Sequence, residues 1–371
     1  MEHTTRTCLQ CSAQNTSSIR SCWPLLEWKL EEWWSSLILI VLLVSACASP
    51  FSSDPHPSAR RTLTPSPTSY PHFKGIIQFT GEQNPNNASN PYLAGANLAF
   101  YWSQVEPQKG HYRWDIIDQE MKPWVTNGKK LILRVSTSGW THWSPPYSGL
   151  GTPQWVYDLG VPSVTEIDDS VLPQYWNPIF LRNLNDFIHA MAQRYDGNAD
   201  IAFIQVALGI GGESKVDSHK DNPQLLQLWQ SIGYTDVLWW DAVQQIIVMY
   251  TASFHATPLA VMPDKTFIGR TPGYQESLLL DYAVKHGVWL QDNGLYANRT
   301  LPPIWMTVPH AEEQIARTKQ TGDTLLSDLQ TALDLGANYI LVFTSDIDKP
   351  ENQAALQWAA SLAHQKVGVA I

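Results

Sequence analysis

Glu213 stands where a reactive carboxylate would be useful. It ends the stretch "IAFIQVALGIGGE", residues 201–213, in which a continuous apolar run breaks into Gly209, Gly211 and Gly212 before a single acidic side chain. Glycines let a ligand approach the backbone closely. A carboxyl behind an apolar run is one whose proton affinity burial would raise, as a general acid or base requires. The plainer alternative is a loop glutamate that caps a helix or pairs with Lys215. A second acidic pair, Glu312 and Glu313, closes "IWMTVPHAEE"; acidic residues there would equally suit the start of a helix, where they complement the dipole. Arg134, inside the apolar "LILRVST", is a charge that either pairs with Glu106 or Glu213 or contacts a ligand. Trp102, Trp140 and Trp143 offer flat apolar faces, or simply pack. Asp292 and Asp346 could accept hydroxyl hydrogen bonds, although isolated aspartates more commonly serve turns and caps. His142, His255 and His310 form no His-x-x-x-His spacing, so no catalytic metal is expected; His310 is retained as a substrate contact.

These residues need a scaffold that brings them together. Short apolar runs read as strands at 74–79, 95–102, 130–136, 201–208, 258–263, 287–293, 303–309 and 337–344. Helical patterns separate most of them. One runs from Asp115 to Gly128, a second is "NPIFLRNLNDFIHAMAQRY", and a third opens at Asp323 and closes at Gly336, with capping residues at its ends. Strands apolar throughout and followed by helices indicate a parallel sheet covered on its outer face. The pattern predicts an α/β chain folded as a (β/α)8 TIM barrel. A doubly wound open sheet is the alternative, but no Gly-rich phosphate loop follows the first strand. In a barrel, functional groups gather at the C-terminal ends of strands. Glu213, directly after the fourth strand, would then project into the mouth.

Composition narrows the partners. A net charge of −10 argues against a nucleic-acid binder, whose footprint is a basic stripe. Seventeen tryptophans exceed an ordinary supply; either flat ligands such as sugar rings stack on some of them, or the aromatic core is thick. All four cysteines (Cys8, Cys11, Cys22 and Cys47) precede the globular part, so that part holds no disulfide and no thiolate metal site. No cofactor is expected.

The apolar run 37–44 is shorter than the about 20 residues that span a bilayer. It has the length of a signal-peptide core and is followed by small residues. Its end, Val44-Ser45-Ala46-Cys47, resembles a bacterial lipobox, which implies that Cys47 is lipidated and that the protein is anchored to a membrane on the extracytoplasmic side. The acidic residues Glu27, Glu31 and Glu32 depart from the positive charge such a leader carries. The expected organisation is a leader at 1–47, a Ser/Pro-rich tether at 48–71 and a barrel domain at 72–371.

Within the barrel region, "GANLAFYWSQVEPQKGHYRWDIID" resembles the second strand–helix unit of barrel glycoside hydrolases, in the large retaining clan that includes beta-galactosidases and cellulases. The residues that carry the resemblance are Trp102, Glu106, Pro107, Gly110, Tyr112, Trp114 and Asp115. "YWNPIFLRNLNDFIHAMAQRYDGNADIAFIQVALGIGGE" resembles that clan's approach to its fourth strand. The resemblance implies a carbohydrate substrate, Glu213 as acid/base, and a nucleophile at the end of strand seven. Glu312 is the first choice for that nucleophile and Glu313 the second. It also implies retention, which uses carboxyls about 5–5.5 Å apart, where inversion uses about 6.5–9.5 Å. One departure stands out: Gly212 occupies the place of an Asn that in the clan helps hold the sugar 2-hydroxyl. That departure keeps two other functions open, a non-catalytic carbohydrate-binding surface lipoprotein and a structural lipoprotein with a vestigial site.

Overall fold

The computed structural model describes residues 70, 72–79, 84–138, 150–166, 169–218, 222–264 and 274–363. Cys47, Trp140, Trp143 and His142, with the leader and most of the tether, lie outside the described residues. Eight parallel strands close into a barrel. They are β1 (Gly75–Gln78), β2 (Leu93–Tyr101), β3 (Lys130–Ser136), β4 (Ile201–Gln205), β5 (Leu259–Val261), β6 (Trp289–Leu295), β7 (His310–Gln314) and β8 (Tyr339–Val342). β8 pairs with β1, Tyr339 beside Gly75, and so removes both sheet edges.

The outer helices are α1 (Trp114–Thr126), α2 (Pro178–Tyr195), α3 (Asp236–Ser253), α4 (Tyr274–Lys285), α5 (Leu325–Asp334) and α6 (Gln353–Ala363). Their ends follow local chemistry. α2 starts where the Asn177 side chain accepts the Ile179 N–H at 2.8 Å and Pro178 supplies a helix-ready φ. α5 starts at Thr324, one residue after the expected Asp323, because the Thr324 hydroxyl accepts the Ser327 N–H at 3.1 Å. An antiparallel hairpin, Ser163–Thr165 with Val171–Pro173, lies between β3 and α2 and is absent from the sequence reading.

Two crossovers lack an α-helix among the described residues: β1–β2 carries the 3-10 turn Pro85–Ser89, and β6–β7 carries Pro303–Thr307. The second corrects the expected strand at 303–309. Pro302, Pro303 and Pro309 have no N–H to give a ladder, so pairing begins only at His310. The seventh strand is therefore "HAEEQ", every residue of which is buried. The sixth strand also runs two residues later than expected, from Trp289 to Leu295, with Asp292 at its middle.

Side chains alternate across the barrel wall. Ile77, Ile132, Phe203, Ala260, Ala311, Tyr339 and Leu341 fill the interior. The larger apolar layer lies between barrel and helices, and the fully buried Trp102, Trp124, Trp229, Trp239 and Trp305 belong to it. At these positions the tryptophan supply serves packing.

Candidate active site

The glycines before Glu213 fold a loop that turns back on itself. Leu208 N–H donates to the Gly212 carbonyl (3.1 Å), Gly209 N–H to Glu213 (2.7 Å) and Ile210 N–H to Lys215 (3.0 Å). A Cβ on Gly209 would overlap the Lys215 carbonyl. Gly211 and Gly212 adopt φ of +63° and +91°, which glycine enters without steric cost. At Gly212 a Cβ would also lie 2.8 Å from Met262 Cε and 2.9 Å from Arg134 Cδ. The space that an Asn side chain would need is occupied by Arg134 and Met262.

Glu213 leaves this loop into a polar cluster. Its Oε1 accepts the Asn293 Nδ2–H at 2.8 Å. Its Oε2 is ion-paired with Lys215, which also binds Asp264 at 2.7 Å. Burial lowers the proton affinity of Lys215, but Glu213 and Asp264 outweigh it and the ammonium is held charged. The pairing with Lys215 weighed from sequence is thus present, and it places a cation on the carboxylate.

Glu313 faces the same interior, two residues beyond Ala311 on β7. Its Oε2 accepts from Gln291 Nε2 at 2.9 Å. The same Gln291 amide donates to Asn293 Oδ1 at 2.8 Å, so a short amide bridge joins Glu313 to Glu213. The bridge continues across the barrel floor: Gln205 donates to Gln291 (2.6 Å) and Asn97 donates to Gln205 (3.0 Å). Burial pushes the Glu313 carboxyl up to about 8; Arg134 opposes this, while Glu213 and Asp292 add to it.

Glu312 is turned to the other face of β7. It is completely buried, and His310 Nε2 stands 3.6 Å from its Oε1, beyond hydrogen-bond distance. Neither carboxylate oxygen has a hydrogen-bond partner, and burial, followed by the nearby Asp292, raises its proton affinity well above the carboxylate range. Asp292 is on that outer face too, clasped by Arg299 through Nε (3.0 Å) and Nη2 (2.9 Å). His310 is buried, and desolvation lowers its proton affinity. The barrel wall therefore separates Glu312, Asp292 and His310 from Glu213.

Trp102 is likewise a packing residue. Its ring meets Trp155, Phe180 and Phe187 at centroid distances of 5.8, 6.0 and 5.6 Å. Its indole N–H donates to Glu106 Oε2 at 2.7 Å, and Glu106 Oε1 accepts the Gly110 N–H at 2.7 Å. Tyr112 stacks on Trp114 at 5.0 Å. The motif that carries the family resemblance is a structural brace. Asp346 is also a brace, accepting from Thr318 N (2.8 Å), Thr318 Oγ1 (2.7 Å) and Lys349 Nζ (2.7 Å).

Arg134 points into the barrel near Glu313 and is not ion-paired with Glu106 or Glu213, the partners weighed from sequence. Asn97, Gln205, Gln291 and Asn293 escaped the sequence reading. Their signal is a polar residue on the inward phase of an otherwise apolar strand, as in "NLAF" and "FIQV". Among the described residues, no group of three or more His, Cys, Asp or Glu side chains could hold a metal ion.

No family model matches the chain. The beta-galactosidase BbgII of Bifidobacterium bifidum is 25% identical over 202 residues, 51% of this chain and 27% of that protein. The chain thus spans about a quarter of the length of that curated relative. The catalytic domain of beta-amylase from Paenibacillus polymyxa superposes with a TM-score of 0.56 at 10% identity, over 80% of this chain and 100% of that one. A psychrophilic glycoside hydrolase family 10 endo-beta-1,4-xylanase gives 0.44 at 13% identity, over 76% and 89%. The likeness to the beta-amylase domain shows the fold, a closed parallel barrel with helices outside.

Proposed function

We propose that the protein is a glycoside hydrolase whose two working carboxyls are Glu213 and Glu313. The observation that carries this reading is the amide bridge Glu213–Asn293–Gln291–Glu313 inside the barrel, which ties a carboxyl of the loop after the fourth strand to one on the seventh. The likeness to part of a beta-galactosidase sequence supports it. Glu213 is the acid/base: it protonates the leaving oxygen as the glycosidic bond breaks, then takes a proton from the incoming water. Glu313 attacks the anomeric carbon and forms the glycosyl ester that this water cleaves, with retention. Burial favours a proton on Glu313 at rest, whereas the acid/base step needs a proton on Glu213. Positive charge developing at the sugar favours ionised Glu313, and Asp264 gives Lys215 a second carboxylate when Glu213 takes the proton.

The test is Glu213→Gln on paired substrates. Turnover should fall by on the order of 10²-fold or more on an unactivated glycan, within the range for losing a general acid. The loss should be smaller on an activated aryl glycoside, whose leaving group needs little protonation. Equal activity of variant and wild type on the unactivated glycan would show that Glu213 is not the acid.

A second reading, carbohydrate binding without cleavage, is favoured by the Lys215 cation on Glu213 and by Gly212 in place of the clan's Asn. Glycan retention by the wild-type protein with no reducing ends released would select it. The lipobox-like Val44-Ser45-Ala46-Cys47 supports export and lipid anchoring at Cys47 in either case. Cys47→Ser should then move the protein from the membrane to the soluble fraction.

A further inference from the structure

Arg134 is 6% exposed, yet its guanidinium has almost nothing to bind. Its Nη1 lies 3.5 Å from the Met262 sulfur, a weak acceptor, and its Nε is buried with no partner. Among the described residues it forms no ion pair. An arginine guanidinium is a cation, and burying a charge without a partner is strongly unfavourable. The neighbours in register are Ala99 on β2 and Gln205 on β4, one too small to reach it and the other engaged by Asn97 and Gln291. Gly212 keeps the space above its Cδ clear. Glu313 is near enough to be influenced by Arg134, but it takes its hydrogen bond from Gln291 and still tends to hold a proton. The chamber thus contains a free planar fork of donors beside the two working carboxyls.

We propose that Arg134 binds the carboxylate of a hexuronic acid, so that the sugar accepted at this site is an acidic one. This rests on the glycosidase reading above for the identity of the ligand as a sugar. A planar carboxylate matches the guanidinium fork with two parallel hydrogen bonds, which a neutral hydroxymethyl group cannot do. Arg134 is a binding residue in this account, and the absent Asn at position 212 makes room for it.

The experiment measures binding to the full chain carrying Glu213→Gln, which slows turnover of unactivated glycosides, by calorimetry with methyl glycosides of glucuronic, galacturonic, glucose and galactose type. The uronides should bind about tenfold to hundredfold more tightly than the neutral glycosides, the range for hydrogen bonds to a charged group. Adding Arg134→Gln should abolish the preference, and Arg134→Lys should keep part of it; circular dichroism checks that each variant is folded. If Arg134→Gln does not fold, the wild-type preference and the Arg134→Lys variant decide. Equal affinity for uronides and neutral sugars, or no uronide binding, overturns the inference. An equal gain with methyl galactoside 6-sulfate overturns the uronate identity in favour of sulfated sugars. Uronide preference without hydrolysis of any uronide by wild type would sink the glycosidase reading and leave this one standing. Hydrolysis of neutral glycosides without uronide preference would do the reverse.

Discussion

Glu312 and Glu313 are consecutive residues of one strand, yet their carboxyls lie on opposite sides of the barrel wall. Glu313 meets Gln291 inside, and Glu312 lies behind the wall against His310. Strand alternation alone decides which of the two can touch a substrate. Glu313→Gln should therefore lower turnover by on the order of 10²-fold or more on every glycoside, activated ones included, because no leaving group compensates for a lost nucleophile. Glu312→Gln should leave turnover within about threefold of wild type, since it removes no group inside the barrel. Side-by-side rates of the two variants check this, and the opposite order would return the role to Glu312.

Glu312 should instead govern stability against pH. Its folded proton affinity lies above the ordinary value of 4.5, first because it is buried and then because Asp292 is close. Raised folded affinity means that the native state keeps a proton which the unfolded chain releases. The favourable term is complete below about 4.5 and is lost as pH rises, at up to about 1.4 kcal/mol per pH unit within the window. Glu313 titrates in the same direction. Glu312→Gln should consequently flatten the decline of urea-unfolding free energy between acid and neutral pH and be the more stable protein at pH 8. Parallel stability curves for variant and wild type would contradict it.

How much of this was legible depends on polarity. β2, β3 and β4 could be read because their apolar runs are continuous, and the barrel follows from them. β7 could not, because "HAEEQ" hides two glutamates, a glutamine and a histidine in a fully buried strand, and hydrophobic patterning finds only strands with at least one apolar face. The expected strand at 303–309 was apolar but proline-bounded, and the ladder needs N–H groups more than hydrophobicity. Glu213 is singled out in the sequence by the glycines that precede it. Trp102 ends the expected strand 95–102 and offers a flat apolar face, but the phase of β2 turns it outward into the helix layer. Phase needs one certain inward residue. Asn97, polar and buried, provides it once the structure is known.

The Glu106 brace can be tested apart from chemistry. Its two carboxylate oxygens take one N–H each, from Trp102 and from Gly110, in a buried site. Glutamine keeps one acceptor and turns an NH2 group toward the other donor. One buried N–H then loses its partner, at a cost of about 1–3 kcal/mol. Glu106→Gln should lower the urea midpoint accordingly while the Michaelis constant and turnover change little. A large loss of turnover with unchanged stability would instead put Glu106 in the site.

Gly212 and Gly110 offer a matched pair for the last test. Both have positive φ, +91° and +76°, so an alanine at either should cost about 1–2 kcal/mol from backbone strain alone. They differ in what surrounds the new methyl. Nothing lies within 4 Å of a Cβ at Gly110, but at Gly212 it would stand 2.8 Å from Met262 Cε and 2.9 Å from Arg134 Cδ. The end of the methionine can swing away, whereas the arginine carbon is in the middle of a buried side chain and carries the guanidinium with it. Gly110→Ala and Gly212→Ala should therefore both lower the unfolding free energy, with Gly212→Ala the worse by about 1 kcal/mol, as an off-rotamer neighbour costs. Only Gly212→Ala should also weaken sugar binding, because it displaces Arg134. Urea unfolding and calorimetry on the two variants separate the effects. If both keep full affinity for the same glycoside, Arg134 does not depend on the missing side chain at position 212.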